Sequence, residues 1–258
     1  MSSILFEIRD HIAFITLNRP DKLNSFNREM ALLLQDRLDE CARLPEVRAV
    51  YLTGAGKGFC AGQDLVEVTA PNGPSLHTIL SEHYNPIVTR IRQLPKPVLA
   101  AVGGVAAGAG ANIALCCDVV VAARSASFIQ AFSRIGLIPD SGGTYFLPRL
   151  VGWQRASAIA MLGDKIGATE AEGMGMIYKV FDDGDFPEAS KALALKLAGL
   201  PTQALALTKQ ALNQSPTHSL EEQLQLEDTL QQQASATYDY SEGVQSFLEK
   251  RAPIFKGA

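Results

Sequence analysis

One carboxylate in this sequence stands where it can move a proton. Asp140 follows the apolar approach Ile135-Gly136-Leu137-Ile138-Pro139 and precedes Ser141-Gly142-Gly143. Aspartate between proline and Ser-Gly-Gly is ordinary turn chemistry, and Asp140 or Ser141 would also cap a following helix. Capping and catalysis are compatible. A carboxylate at the end of an apolar approach loses part of its hydration, which raises its pKa and makes it a better base. Upstream, Gly and Ala fill every position from Ala106 to Ala111, between one apolar run and another. A strand-to-helix junction without bulky side chains lets a ligand approach the backbone and presents the free N–H groups of a first helical turn, which suits an anionic oxygen. A second glycine-dense segment, Gly54 to Leu65, also follows a strand-like run.

Other chemistries find less support. Gly108-Ala109-Gly110-Ala111-Asn112-Ile113 approximates GxGxxG but has Ile113 at the third glycine, which weakens dinucleotide binding. Gly56-Lys57 is followed by Gly58 in place of Ser or Thr, so no phosphate-binding P-loop is present. His11, His77, His83 and His218 lack HExxH spacing and read as solvated or core residues. There is no GxSxG elbow for a serine hydrolase. Cys60 lies in a glycine loop without an identifiable histidine partner and reads as a small packing residue.

The elements that must position these segments follow from hydrophobic period. Residues 3–18 alternate around Arg9-Asp10 as a hairpin, and residues 27–43 recur at helical spacing with Asn27 as N-cap. A buried strand over 47–53 completes a strand-helix-strand unit, which implies a right-handed crossover and a parallel sheet. A surface loop over 66–74, a helix over 75–93, a buried strand over 98–102, a helix over 108–117 and a strand over 119–123 continue the rhythm. After Gly143, helical spacing dominates in 145–163, 168–175, 186–199, 201–213, 219–234 and 238–249. We expect a spiral α/β core over 1–200 and a helical region over 201–258.

The 258 residues carry a net charge of −4 and 47% hydrophobic residues, a composition suited to a soluble globular chain with a large core. The acidic balance disfavours nucleic acid and anionic membranes as partners. Four cysteines without CxxC spacing argue against a disulfide framework or zinc site and point to a reducing cytoplasm. No signal peptide or run of roughly 18 apolar residues is evident.

Leu17-Asn18-Arg19-Pro20, Phe59 to Leu65, Ala106 to Asp118, Gly136-Leu137-Ile138-Pro139, Gly142-Gly143-Thr144 and Glu242-Gly243 with Phe247 to Arg251 together resemble the enoyl-CoA hydratase/isomerase (crotonase) family over nearly the whole chain. The resemblance implies a crotonase (ClpP-like) spiral of β–β–α turns, a helical C-terminal region that builds trimers or hexamers, and an acyl-CoA thioester substrate with no separate cofactor. It implies an oxyanion hole from the Ala61 and Ala109 amides, and Asp140 matches the aspartate that the family's isomerases place beside the acyl chain. The family's hydratases use two glutamates, and the matching positions here hold Asn112 and Phe132, which leaves hydration without its acid and base. Asn112 and Phe132 are then expected to line the substrate pocket. For CoA, the resemblance implies Lys22 and Leu23 near the adenosine, Gln63, Asp64 and Leu65 around adenine and pantetheine, and Lys250 or Phe255 reaching a neighbouring subunit's ligand. Lys22 and Lys250 read equally well as solvated charges. An isomerase, a hydratase or thioester hydrolase, and a non-catalytic acyl-CoA-binding subunit all remain open at this point.

Overall fold

The computed structural model describes residues 2–258. Strands β1 (Ile4–Arg9) and β2 (Ile12–Leu17) form the antiparallel hairpin, turning on Asp10 and His11 at φ +52° and +62°. Helix α1 (Arg28–Arg43) starts where Asn27 accepts the Met30 N–H at 3.0 Å, and buries Met30, Leu34, Leu38 and Cys41 along one face. Each buried leucine there contributes about 1.5–3 kcal/mol. The chain returns as β3 (Ala49–Gly54), parallel to β2.

From β3 onward, consecutive strands divide between two sheets. β3 is followed by β4 (Gly58–Cys60), and after the short helices α2 (Leu65–Val68) and α3 (Leu76–Thr78) and the helix α4 (Asn85–Gln93) come β5 (Val98–Val102) and β6 (Val105–Ala107). Helix α5 (Ala109–Leu115) then leads to β7 (Val119–Ala123) and β8 (Ser127–Ile129). Helices α6 (Gly143–Val151) and α7 (Trp153–Leu162) precede β9 (Lys165–Gly167), and α8 (Ala168–Gly173) precedes β10 (Lys179–Phe181). The long sheet has the order β1-β2-β3-β5-β7-β10 and the short one β4-β6-β8-β9. This is a spiral of strand-strand-helix turns. All five β5 residues are buried, as expected of a parallel strand covered on both faces.

Four helices complete the chain: α9 (Phe186–Gly199), α10 (Thr202–Gln214), α11 (Leu220–Ser235) and α12 (Tyr238–Glu249). Lys209 fastens α10 to the core, its Nζ donating to the Ile91 carbonyl at 2.6 Å and pairing with Asp118 at 2.8 Å. The structure departs from the periodicity in three places. The second strand of each pair has only three residues, too few to show a period. Helix 145–163 breaks at Gly152, which takes φ +79°. The stretch expected as one helix over 75–93 contains a π-helical turn, Ile79–Tyr84, between α3 and α4.

Candidate active site

The two glycine segments leave β4 and β6, neighbours in the short sheet, and so emerge side by side. The first lies against residues 23–26: the Ala61 N–H donates to the Leu23 carbonyl at 2.9 Å, and Phe26 forms a parallel bridge with Gln63. In that bridge the Phe26 N–H donates to the Gly62 carbonyl at 2.7 Å and the Phe26 carbonyl accepts the Asp64 N–H at 2.8 Å. Gln63's own amide therefore faces away from Phe26. The second segment is pinned by the Gly108 N–H, which donates to the Ile129 carbonyl at 2.8 Å.

Glycine is needed where these loops meet. Gly62 has φ +91°, and a Cβ there would lie 3.0 Å from the Ala107 carbonyl oxygen and 3.5 Å from the Ala109 nitrogen. At Gly110 a Cβ would sit 2.5 Å from the Cys60 carbonyl oxygen and 2.6 Å from its Sγ. Burial pushes the Cys60 thiol up to about 12, so it packs and does not react.

A cavity of about 610 Å³ opens over this junction. Leu65, Val68, Leu80, Phe132 and Ile138 give it an apolar wall, and Asp140 is its one carboxylate among the described residues. The backbone of residues 61–63 and 108–109 forms the opposite side. Of the amides there, Ala61 and Gly108 bond to carbonyls and Gly62 donates to the Cys60 Sγ at 3.4 Å. Among the described residues, the Gln63 and Ala109 N–H groups have no hydrogen-bond partner. Two free donors thus line a cavity that holds one carboxylate.

Asp140 is held by its backbone. Its carbonyl accepts the Gly143 N–H and the Asn112 Nδ2, both at 2.8 Å, while its carboxylate is left to the cavity and to the Ser141 hydroxyl at 2.8 Å. Burial raises the Asp140 carboxyl above its ordinary range, and the Ser141 hydroxyl draws it only partly back. Ser141 has φ +50°, a left-handed conformation that costs a non-glycine residue about 1–3 kcal/mol. Strain of this kind is tolerated where the surroundings fix the loop.

Several expectations need correction. Ala61 cannot offer its amide to a ligand, because the Leu23 carbonyl already takes it; the free donor is two residues on, at Gln63. Asn112 does not line the cavity. It is wholly buried behind the wall, donating to the Asp140 carbonyl and accepting Gln130 Nε2 at 2.7 Å. Asp64 also turns inward, capping α2 through the Val66 N–H at 3.1 Å and pairing with Arg19 at 2.7 Å. Burial pushes its carboxyl up, but Arg19 and the Val66 amide outweigh this and hold it below its ordinary range.

The remaining positions divide. Gln63, Leu65, Phe132 and Ala109 line the cavity, whereas Lys22 and Leu23, on and just after the turn Pro20–Lys22, do not. Lys250 ends α12 in a left-handed conformation, and Phe255, in the non-helical segment that follows, packs beside Gly243; both lie outside this cavity. Sequence reasoning missed Tyr84, which lines the cavity and donates to Gln63 Oε1 at 2.8 Å. A tyrosine in an otherwise helical stretch gives no sign of this, because the π-turn changes which face it occupies.

A two-sheet spiral with paired amides at a glycine junction defines the class of protein. Residues 7–258 match the enoyl-CoA hydratase/isomerase family, and the chain belongs to that (crotonase) family of enzymes. It is 49% identical to the 1,2-epoxyphenylacetyl-CoA isomerase of Escherichia coli (strain K12), over 100% of this chain and 99% of that one. It is 48% identical to a protein of Rhodobacter capsulatus named probable enoyl-CoA hydratase, over 99% and 98% of the two chains. The solved structure of an enoyl-CoA hydratase from Bacillus anthracis superposes with a TM-score of 0.92 at 34% identity, covering 99% of this chain and 100% of that one.

Proposed function

We propose that this enzyme is an acyl-CoA isomerase in which Asp140 shuttles a proton and the Gln63 and Ala109 amides hold the thioester oxygen. One observation carries the reading: a single, partly desolvated carboxylate shares the cavity with two unpartnered backbone donors. For a 3-enoyl-CoA, the Asp140 carboxylate takes a proton from C2, leaving an enolate whose charge falls on the thioester oxygen. The two amides stabilise that charge, and losing one such donor typically costs about 2.7–4 kcal/mol. Protonated Asp140 then returns the proton at C4, giving the 2-enoyl-CoA with no net change in atoms. No electron acceptor or added water enters, so the reaction needs no cofactor beyond the CoA in the substrate.

Hydration asks for a second acid-base group to activate and deliver water. Asn112 is sealed behind the wall and Phe132 is apolar, which favours isomerisation. Likeness to the Escherichia coli isomerase supports 2-(1,2-epoxy-1,2-dihydrophenyl)acetyl-CoA as the principal substrate, converted to its oxepin isomer in phenylacetate catabolism. The apolar wall suits a ring that is hydrocarbon apart from one ether oxygen. We further propose a cytoplasmic homotrimer or dimer of trimers. Val244, Phe247 and Leu248 on α12 are 45%, 81% and 69% exposed in the single chain, a face that an assembly would cover.

The test is turnover of epoxyphenylacetyl-, 3-enoyl- and 2-enoyl-CoA by the wild type and by Asp140→Asn. Isomerisation should collapse in the variant while CoA-ester binding persists. Water addition to the 2-enoyl ester at a rate rivalling isomerisation would overturn the reading.

A further inference from the structure

The π-helical turn Ile79–Tyr84 contributes Ile79, Leu80 and Tyr84 to the cavity. A π-turn is a local irregularity with a cost, and such turns recur at functional sites. Tyr84 is 1% exposed, and its ring meets Phe26 edge-on at 5.8 Å and 77°. Its hydroxyl donates to Gln63 Oε1 at 2.8 Å; Gln63 Nε2 donates to Glu67 Oε2 at 3.1 Å, and Glu67 Oε1 accepts the Arg28 N–H at 2.9 Å. Both ends of the Gln63 carboxamide are thus engaged within the protein. Its backbone N–H has no partner in the protein and is free to meet a ligand. Phe26 brackets that same residue through the backbone bridge, so the touching pair Phe26 and Tyr84 holds Gln63 by main chain and side chain together.

We propose that Tyr84 is a positioning residue that aims the Gln63 amide at the thioester oxygen, an inference that rests on the reading of Gln63 as an oxyanion donor. Tyr84 acts through Gln63 and not on the substrate, because its proton is committed to Gln63 Oε1. Burial raises the phenol well above its ordinary value, so it remains a donor wherever the enzyme works. With the hydroxyl gone, the Gln63 side chain loses one of its two anchors and the loop can rotate the amide off line. Misdirection weakens the bond most when the oxygen is charged, so the loss falls on kcat and leaves KM little changed.

The test is Tyr84→Phe, which keeps the ring and its contact with Phe26. Turnover of a 3-enoyl-CoA is measured alongside the infrared carbonyl band of bound butanoyl-CoA carrying ¹³C at the thioester carbon. We expect kcat to fall about tenfold with KM within about twofold, and the bound carbonyl band to move part of the way back toward its position in free ester. Gln63→Met, which removes this link together with the Glu67 anchor, should produce both changes at least as strongly, and adding Tyr84→Phe to it should produce no further loss. A carbonyl band equally shifted in wild type and both variants, or independent losses that multiply in the double variant, would overturn the role of Tyr84. If wild-type enzyme leaves the carbonyl band where free ester has it, the oxyanion reading itself falls, and Tyr84 with it.

Discussion

The clamp on Asp140 yields the sharpest prediction. Asn112 is 0% exposed and donates its Nδ2 to the Asp140 carbonyl at 2.8 Å, while its Oδ1 accepts Gln130 Nε2 at 2.7 Å. Asn112→Asp preserves the shape and exchanges the donating nitrogen for an oxygen. Ionised, that oxygen would face a carbonyl oxygen in a buried site; protonated, it donates as the amide did. The folded protein therefore keeps the proton, whereas the unfolded chain releases it near pH 4. Holding it costs about 1.36 kcal/mol per pH unit above that point, or about 4 kcal/mol at pH 7. The folded pKa is the raised one, so the variant matches wild type at acid pH and loses stability as pH rises, until the folded carboxyl itself ionises. Urea unfolding of both proteins at one concentration, from about pH 5 to about pH 8, reads this directly. Asn112→Leu serves as the control, since it strips partners from Gln130 and the Asp140 carbonyl and should cost about 2–4 kcal/mol at every pH. A constant difference between Asn112→Asp and wild type across that range would mean that the site is wet, and would refute the clamp.

Three further outcomes follow from the site. Asp140→Asn should lower isomerase kcat by about 10²–10⁴-fold while raising the unfolding free energy at neutral pH by about 0.5–2 kcal/mol, measured in urea, because the ionised carboxyl sits where burial disfavours it. In wild type, kcat/KM should fall as pH drops through the raised Asp140 pKa, since only the carboxylate accepts a proton; Asp140→Asn should lose that limb of the profile. Gly62→Ala puts a Cβ 3.0 Å from the Ala107 carbonyl oxygen at φ +91°, displacing the loop that carries Gln63, and steady-state kinetics should show kcat reduced by about 10²-fold.

How much of this was legible depended on whether a residue's role lies in its own local pattern. The hairpin, α1 and the long-sheet strands β3, β5 and β7 are runs long enough to read, whereas β10 has only three residues, and Asp140 stood out by its apolar approach. The short strands β4, β6 and β8 have three residues each, and pairing across the chain, not sequence, makes them strands. Ala61 and Gln63 illustrate the harder limit. Both sit in a glycine loop, yet which amide is free is decided by Leu23 and Phe26, residues from a different turn of the spiral. Asn112 was misplaced for a related reason, because a polar residue on a buried helix can face a ligand or a backbone carbonyl, and only the arrival of the loop at Asp140 decides which.

On the proposed mechanism, the site separates what forms the enolate from what happens to it. The Gln63 and Ala109 amides are set by contacts apart from the proton carrier: the close approach at Gly62 and Gly110, the Phe26 bridge, the Tyr84–Gln63 bond and the Gly108 anchor. None of these depends on the side chains at 112, 132 or 140. An enolate held there is equally stable whatever follows, and its fate rests on which groups within reach can give up a proton. Asn112 is turned away to hold Asp140, and Phe132 offers carbon only. With the Tyr84 hydroxyl bonded to Gln63, the carboxyl proposed to remove the proton is also the group placed to return it. A water-adding enzyme would need a second proton carrier on this wall, and Asn112 would have to leave the Asp140 carbonyl to make room for it.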